Sequence, residues 1–224
     1  MKTKLSARLL LVLWLLAAGL LTALALYPVS NRLTRAGGLL ACFIIWLGVL
    51  SLTWRPRSLR FVFLGLTGVS VVFLLLPARD VPAAELRNAY ITGLRRYGDV
   101  PYYWGGENSR GIDCSGLVRR GLIDALFLRG LRTADGELVR RALFLWWNDT
   151  SASALGSGTH DLTIPLFETP SVNVLDPSRL QPGDLAVTSS GVHIMAFPGG
   201  DQWIEADPGE GRVLIVSAPA ADNP

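Results

Sequence analysis

Three long stretches without a charged side chain dominate the first third of the chain, at residues 9–31, 36–54 and 61–78, separated by short connections that carry arginines. A helix rises about 1.5 Å per residue, so roughly 20 apolar residues cross the ~30 Å hydrocarbon layer of a bilayer. The pattern predicts membrane-spanning helices at about 9–27, 36–54 and 61–78. The competing reading is one signal anchor followed by buried core helices, and it fits the third stretch best, because that stretch is the shortest and contains Gly65 and Gly68. No small-residue cleavage site ends the first apolar run before two more begin, which argues against a removed signal peptide.

From Asp80 onward the pattern becomes that of a water-soluble domain, so the chain divides into a membrane part, 1–79, and a second domain, 80–224. Residues 81–98 predict a short amphipathic helix, with Pro82 in its first turn and Leu86, Ala89, Tyr90 and Leu94 at helical spacing. Residues 99–112, including Trp104-Gly105-Gly106, are too rich in turn formers for a regular element. Asp113 stands where a helix cap belongs, and Leu117, Val118, Leu122, Ile123, Ala125 and Leu126 predict a helix over 114–129. A further helix is expected over 134–147, with Leu138, Ala142, Leu143 and Leu145 inward.

Residues 148–176 are dominated by Ser, Thr, Gly, Asp and Pro and read as a long surface insertion that shapes a cleft. After the turn Gln181-Pro182-Gly183-Asp184, four short runs at 185–188, 192–197, 202–206 and 213–217 are punctuated by Gly and Pro at hairpin spacing. Helices first and an antiparallel meander afterwards describe an α+β domain in which the helix beginning at Cys114 packs on the sheet. The last seven residues, 218–224, read as a loose tail.

Charge fixes an orientation. Residues 1–79 carry two lysines and seven arginines without an acid, a net of +9, whereas residues 80–224 carry 12 arginines against 18 acids, a net of −6. The basic character belongs to the flanks of the spans and the soluble part is acidic, which argues against a nucleic-acid partner. Lys2, Lys4 and Arg8 precede the first span and Arg55, Arg57 and Arg60 follow the second, against only Arg32 and Arg35 between them. Short basic loops stay cytoplasmic, so the N-terminus is expected inside and, with three spans, the second domain outside the cytoplasm.

Two cysteines occur, Cys42 in the middle of the second span and Cys114 in the second domain, so no disulfide is expected. A thiol becomes a useful nucleophile when a helix N-terminus stabilises its anion and a base stands nearby. Only His160 and His193 can supply that base. His160 falls in the polar insertion. His193 falls in an expected strand, a rigid platform on which alternation sends His193 and Met195 to one face and Val192 and Ile194 to the other. Taken alone, a small core cysteine and a satisfied strand histidine account for the pair equally well. Two histidines and one cysteine outside the spans do not make a zinc site, no segment matches a phosphate-cradling loop, and no metal or cofactor is implied.

The run Tyr102-Tyr103-Trp104-Gly105-Gly106, then Gly111-Ile112-Asp113-Cys114-Ser115-Gly116-Leu117-Val118, resembles the nucleophile motif of NlpC/P60 cysteine peptidases. Leu180-Gln181-Pro182-Gly183-Asp184-Leu185 resembles the turn before their histidine strand. The resemblance covers residues 85–216 and implies a papain-like core. Carried over position by position, it implies Cys114 as nucleophile, His193 as base and Tyr102 beside the cysteine, with Asp113 and Ser115 as supporting neighbours. The third polar position, twelve residues after the histidine, is Glu205, where family members more often carry His, Asn or Gln. Its carboxylate can hold the tautomer of His193, stabilise the imidazolium and raise the histidine pKa. Asp207, on the same strand face, is the rival for that role, and both acids read equally as solvated strand residues. The oxyanion hole is expected from the Cys114 backbone N–H, helped by the Tyr102 hydroxyl. Two departures bear on specificity: the segment 131–176 has no recognisable family counterpart, and the histidine strand reads His193-Ile194-Met195 without the glycine that would let substrate approach.

The resemblance implies hydrolysis of an amide in the peptide stem of peptidoglycan, such as a γ-D-glutamyl to diaminopimelate bond, by an enzyme held in the bacterial cytoplasmic membrane. Two other readings stay open at this point. One is acyl transfer or hydrolysis on a lipid or lipoprotein, although membrane enzymes of that kind usually place histidine before cysteine. The other is an inactive binding module in a wall-synthesis complex.

Overall fold

In the computed structural model of the chain, residues 2–220 are described, with side chains from residue 9 onward; residues 221–224 of the expected tail lie outside the described residues. Three helices come first, α1 (Lys2–Leu26), α2 (Arg32–Thr53) and α3 (Arg57–Leu75), and all three are long and apolar enough to cross a membrane. Asn31 caps α2, accepting from Leu33 N and Thr34 N at 3.0 Å each, while its own N–H donates to Thr34 Oγ1 at 2.9 Å. Leu76, at φ −58° and ψ 143°, ends α3 three residues before the expected limit, because the following Pro77 disfavours helical geometry in the residue before it. Polar tips join the helices: Trp14 Nε1 donates to Ile45 O at 3.3 Å, and Trp46 Nε1 to Thr67 Oγ1 at 3.4 Å. Cys42 faces outward on α2, and both cysteines are free.

The remainder is an α+β domain. Its elements are α4 (Ala83–Arg95), a short hairpin β1 (Glu107–Asn108) and β2 (Gly111–Ile112), α5 (Cys114–Thr133), α6 (Gly136–Trp147), α7 (Ala152–Gly156), β3 (Leu185–Val187), β4 (Ile194–Gly199), β5 (Gln202–Asp207) and β6 (Arg212–Ser217). The last four strands form an antiparallel meander in chain order. Leu94 of α4, Leu117 of α5, and Ile194, Ile204 and Val213 of the sheet make one core. Met195, Phe197 and Trp203 fill the opposite sheet face beneath Leu175 and Leu180. α5 runs four residues beyond the expected end and stops at Ala134, whose left-handed backbone (φ 51°) closes the helix.

Two expectations are corrected. The segment 148–176 is not wholly a surface insertion: Thr150, Ala152, Leu155 and Val172 are buried, and α7 packs against β3 behind the histidine turn. Its short apolar pair Ala152 and Leu155 joins the core, which polar composition around it masked. The first residues of the tail are not loose, since Ala218 N donates to Asp201 O at 2.7 Å and Ala220 N to Asn173 Oδ1 at 2.9 Å.

The helical region and the α+β domain are tied together in two places. The α1–α2 connection lies along the loop before α5: Ser30 N donates to Gly105 O and Glu107 N to Pro28 O, each at 3.0 Å, and Val29 pairs antiparallel with Gly106. Beneath this pairing the Glu107 carboxylate meets Arg35 Nη2 at 2.7 Å and Arg119 Nη2 at 3.1 Å, the second too bent for a hydrogen bond. All three side chains are buried. Arg119 Nη1 also reaches Asp149 Oδ1 at 2.7 Å, and Arg35 Nη1 donates to Trp147 O at 3.3 Å. At the second place, Arg140 Nη1 donates to Leu76 O at 3.1 Å, and Arg79 N to Asp135 Oδ2 at 2.9 Å.

Breaking a buried ion pair by removing one partner leaves the other charge uncompensated, at a cost of about 3–5 kcal/mol. Arg35→Met is therefore expected to lower the unfolding free energy of the detergent-solubilised protein by about 3 kcal/mol, measured by denaturant titration. Adding Glu107→Gln should recover part of that loss, because Arg119, left to balance both Glu107 and Asp149, then faces a single carboxylate.

Candidate active site

The site is assembled where the loop after α4 turns into α5. Asp113 caps that helix: its Oδ1 accepts from Gly116 N at 2.6 Å and from Ser115 Oγ at 3.0 Å, and its Oδ2 from Gly105 N at 2.8 Å. Asp113 N in turn donates to Gly106 O at 3.1 Å. One carboxylate thus ties the helix N-terminus to the Trp-Gly-Gly turn, and Ser115 serves that tie. Gly116 is required by the same contact, because a Cβ there would lie 2.2 Å from Gly106 O. Cys114, at the first position of α5, has only 7% of its surface exposed. Its Sγ lies 3.8 Å from the carbonyl oxygen of Val192.

His193 is brought to Cys114 from the other side of the site, though not from a strand as expected. It is the residue just before β4, held by a turn in which Thr188 N donates to His193 O and His193 N to Thr188 Oγ1, each at 3.1 Å. Strict alternation would group it with Met195, which points away from the helix core, but leaving the ladder frees the ring to meet the thiol. Its Nε2 stands 2.5 Å from Glu205 Oε2, and Glu205 is buried on β5. The hydrogen bond to Cys114, then that to Glu205, raise the His193 pKa to about 10 against the opposing effect of burial. A raised histidine pKa stabilises the fold fully below about 6.5 and loses that contribution as pH climbs through about 10.

Asp207 is not brought to the histidine. Its Oδ1 accepts from Gly209 N at 2.5 Å and from Glu210 N at 3.4 Å, so it organises the β5–β6 turn. Tyr102 is placed by its backbone, donating from N to Gly211 O at 2.7 Å. Burial, then the nearby Cys114, Asp113 and Asp207, push its phenol up to about 12, so the hydroxyl keeps its proton. His160 is exposed in the insertion, edge-on to Phe144, and takes no part. The approach to Cys114 is flanked by exposed Trp104 and Val192. A depression of about 270 Å³ lies elsewhere, between α4 and β6, and neither Cys114 nor His193 lines it. Among the described residues, no group of three or more His, Cys, Asp and Glu side chains is placed to hold a metal ion.

The sequence reading missed the charged layer beneath the site: Glu107, one residue from Gly106, and its partners Arg35 and Arg119. The available signals were an arginine among the apolar residues of α5 and another at the mouth of α2.

Gly116→Ala is expected to force the Gly106 carbonyl away from the helix start, an overpacking cost of about 1–3 kcal/mol. The displaced cap should show as a changed rate of Cys114 alkylation by iodoacetamide in a Cys42→Ala background, at a pH where the protein remains folded.

A family model described as the NlpC/P60 family matches residues 99–220. No curated protein matches the chain. The match takes in the capped Cys114 helix, the histidine turn and the whole antiparallel sheet, more than half of the chain, and the protein therefore belongs to the NlpC/P60 family.

Proposed function

We propose that the protein is a membrane-anchored cysteine hydrolase that cleaves an amide in the peptide stem of peptidoglycan, with Cys114 as nucleophile, His193 as base and Glu205 as its orienting partner. The observation that carries this reading is the His193 ring held 2.5 Å from the buried Glu205 carboxylate, with Cys114, whose Sγ lies 3.8 Å from the carbonyl of the preceding Val192, close enough to raise the histidine pKa. Family membership supplies the general substrate, peptidoglycan.

In the mechanism, His193 takes the proton of the Cys114 thiol and Sγ attacks the amide carbonyl. The developing oxyanion is met by the Cys114 N–H, which the start of α5 leaves without an intrahelical acceptor, and by the protonated Tyr102 hydroxyl. The imidazolium then gives its proton to the leaving amine as the C–N bond breaks, leaving a thioester. Water, deprotonated by His193, attacks the thioester, releasing the carboxylic acid and the thiol. Throughout, Glu205 fixes the ring and balances its positive charge, the part an aspartate plays in serine triads.

In the same reading this chemistry lies on the extracytoplasmic side, with the N-terminus inside. The α1–α2 connection and the end of α3 both meet the catalytic domain, and the two spans between them put both on one face. Arg35, which the charge count sets on the outer side, is neutralised there by Glu107.

Muropeptides of defined structure, incubated with the detergent-solubilised protein, should yield new stem-peptide fragments by mass spectrometry, and Cys114→Ser should yield none. Absence of fragments from the wild type would sink the hydrolase reading. Glu205→Ala should lower kcat by about 100-fold or more. Because it removes one of the two bonds that raise the His193 pKa, it should also move the alkaline limb of the pH–rate profile down from about 10.

A further inference from the structure

We propose that the active site opens at the surface of the bilayer and that its substrate is a stem peptide carried on a membrane lipid through a phosphate linkage, rather than free polymer; this rests on the hydrolase reading. The loop preceding the nucleophile is paired, strand-fashion, with the few residues that leave α1 and enter α2. Ser30, Val29 and Pro28 meet Gly105, Gly106 and Glu107, and Asn108 Nδ2 donates to Tyr27 O at 2.8 Å. A connection running only from the end of α1 at Leu26 to the start of α2 at Arg32 rises at most about 10 Å beyond the helix ends, so it stays close to the headgroup layer, which is about 5–7 Å deep.

The thiol follows closely. Val29 faces Gly106 across a bridge, Gly106 O accepts from Asp113 N at 3.1 Å, and Cys114 is the next residue. Those three steps put the Cys114 Cα at most about 15 Å from that of Val29. The domain also lies along the membrane rather than standing on it. α6 begins against the end of α3, where a Cβ on Gly136 would lie 2.5 Å from Phe73 O. It ends where Trp147 O accepts from Arg35 of α2. A helix of 12 residues, about 18 Å long, therefore bridges the outer ends of two spans, with Leu143, Phe144 and Trp147 exposed along it.

The rim of the site has the chemistry of that depth. Trp104 is 77% exposed, and Tyr103 and Tyr27 are about half exposed, an aromatic belt continuous with the apolar spans. Arg32 and Arg110 are exposed beside it and enter none of the ion pairs among the described residues, so they are free to meet a lipid phosphate. A peptide hung from a phosphate-linked lipid would bring its amide to the thiol while the carrier stays in the bilayer.

The test uses the full chain in phosphatidylcholine vesicles and one stem peptide in three forms: soluble, linked through its sugar to a polyprenyl diphosphate, and linked to the same lipid through a long hydrophilic spacer. Membrane enrichment alone would favour both lipid forms equally. The expected result is cleavage of the directly linked form with kcat/KM about tenfold above each of the others. Arg32→Gln with Arg110→Gln is expected to shrink that preference. Equal cleavage of the direct and spacer-linked forms, or faster cleavage of the soluble one, would overturn the inference and leave the hydrolase standing. No cleavage of any form would remove both.

Discussion

The Glu107 carboxylate, lodged between Arg35 and Arg119, is the constraint on which the rest of the structure depends. An anion buried in low dielectric is tolerable only when its partners are present, and here one partner comes from α2 and the other from α5. The pairing fixes β1, β1 fixes the Trp-Gly-Gly turn one residue before it, and the turn is bonded through Asp113 to the start of the helix that carries Cys114. Position is thus transmitted from α2 to the thiol through a few short contacts. The apolar helices are part of the frame that sets the site, in addition to tethering it.

The histidine side is built differently. There the sheet supplies a buried carboxylate at the middle of β5, and a tight turn presents His193 to it. The Cys114 side is held by caps and charge, the His193 side by ladder and turn. Both meet on the core in which α5 crosses the sheet, so the separation of thiol and imidazole is set by the packing of Leu117 against residues such as Ile194 and Ile204.

What could be read in the sequence follows from the range of each signal. The three apolar helices, the cap at Asp113, α5, α6 and the four-strand meander all leave local traces in periodicity or turn chemistry, and all are present within a few residues of expectation. Cys114 and His193 stood out through short motifs, and Glu205 through a fixed offset from the histidine. The strand placement of His193 misled because alternation describes a regular ladder, which the chain enters only at Ile194. The buried apolar pair of α7, Ala152 and Leu155, was hidden by polar neighbours. The Arg35–Glu107 pair, 72 residues apart, leaves no periodic mark at all, since nothing local distinguishes a buried ion pair from two surface charges.

That separation also orders the biogenesis of the molecule. A chain is made from its N-terminus, so α1 and α2 are complete while Arg35 still has no partner; its carboxylate arrives 72 residues later, and Arg119, which completes the cluster, later still. The helical hairpin therefore waits, with an unpaired cation at its mouth, until the α+β domain has been made. Completion of the helical region and folding of that domain become one late event, and a chain whose domain fails to fold keeps an unpaired charge at the start of α2.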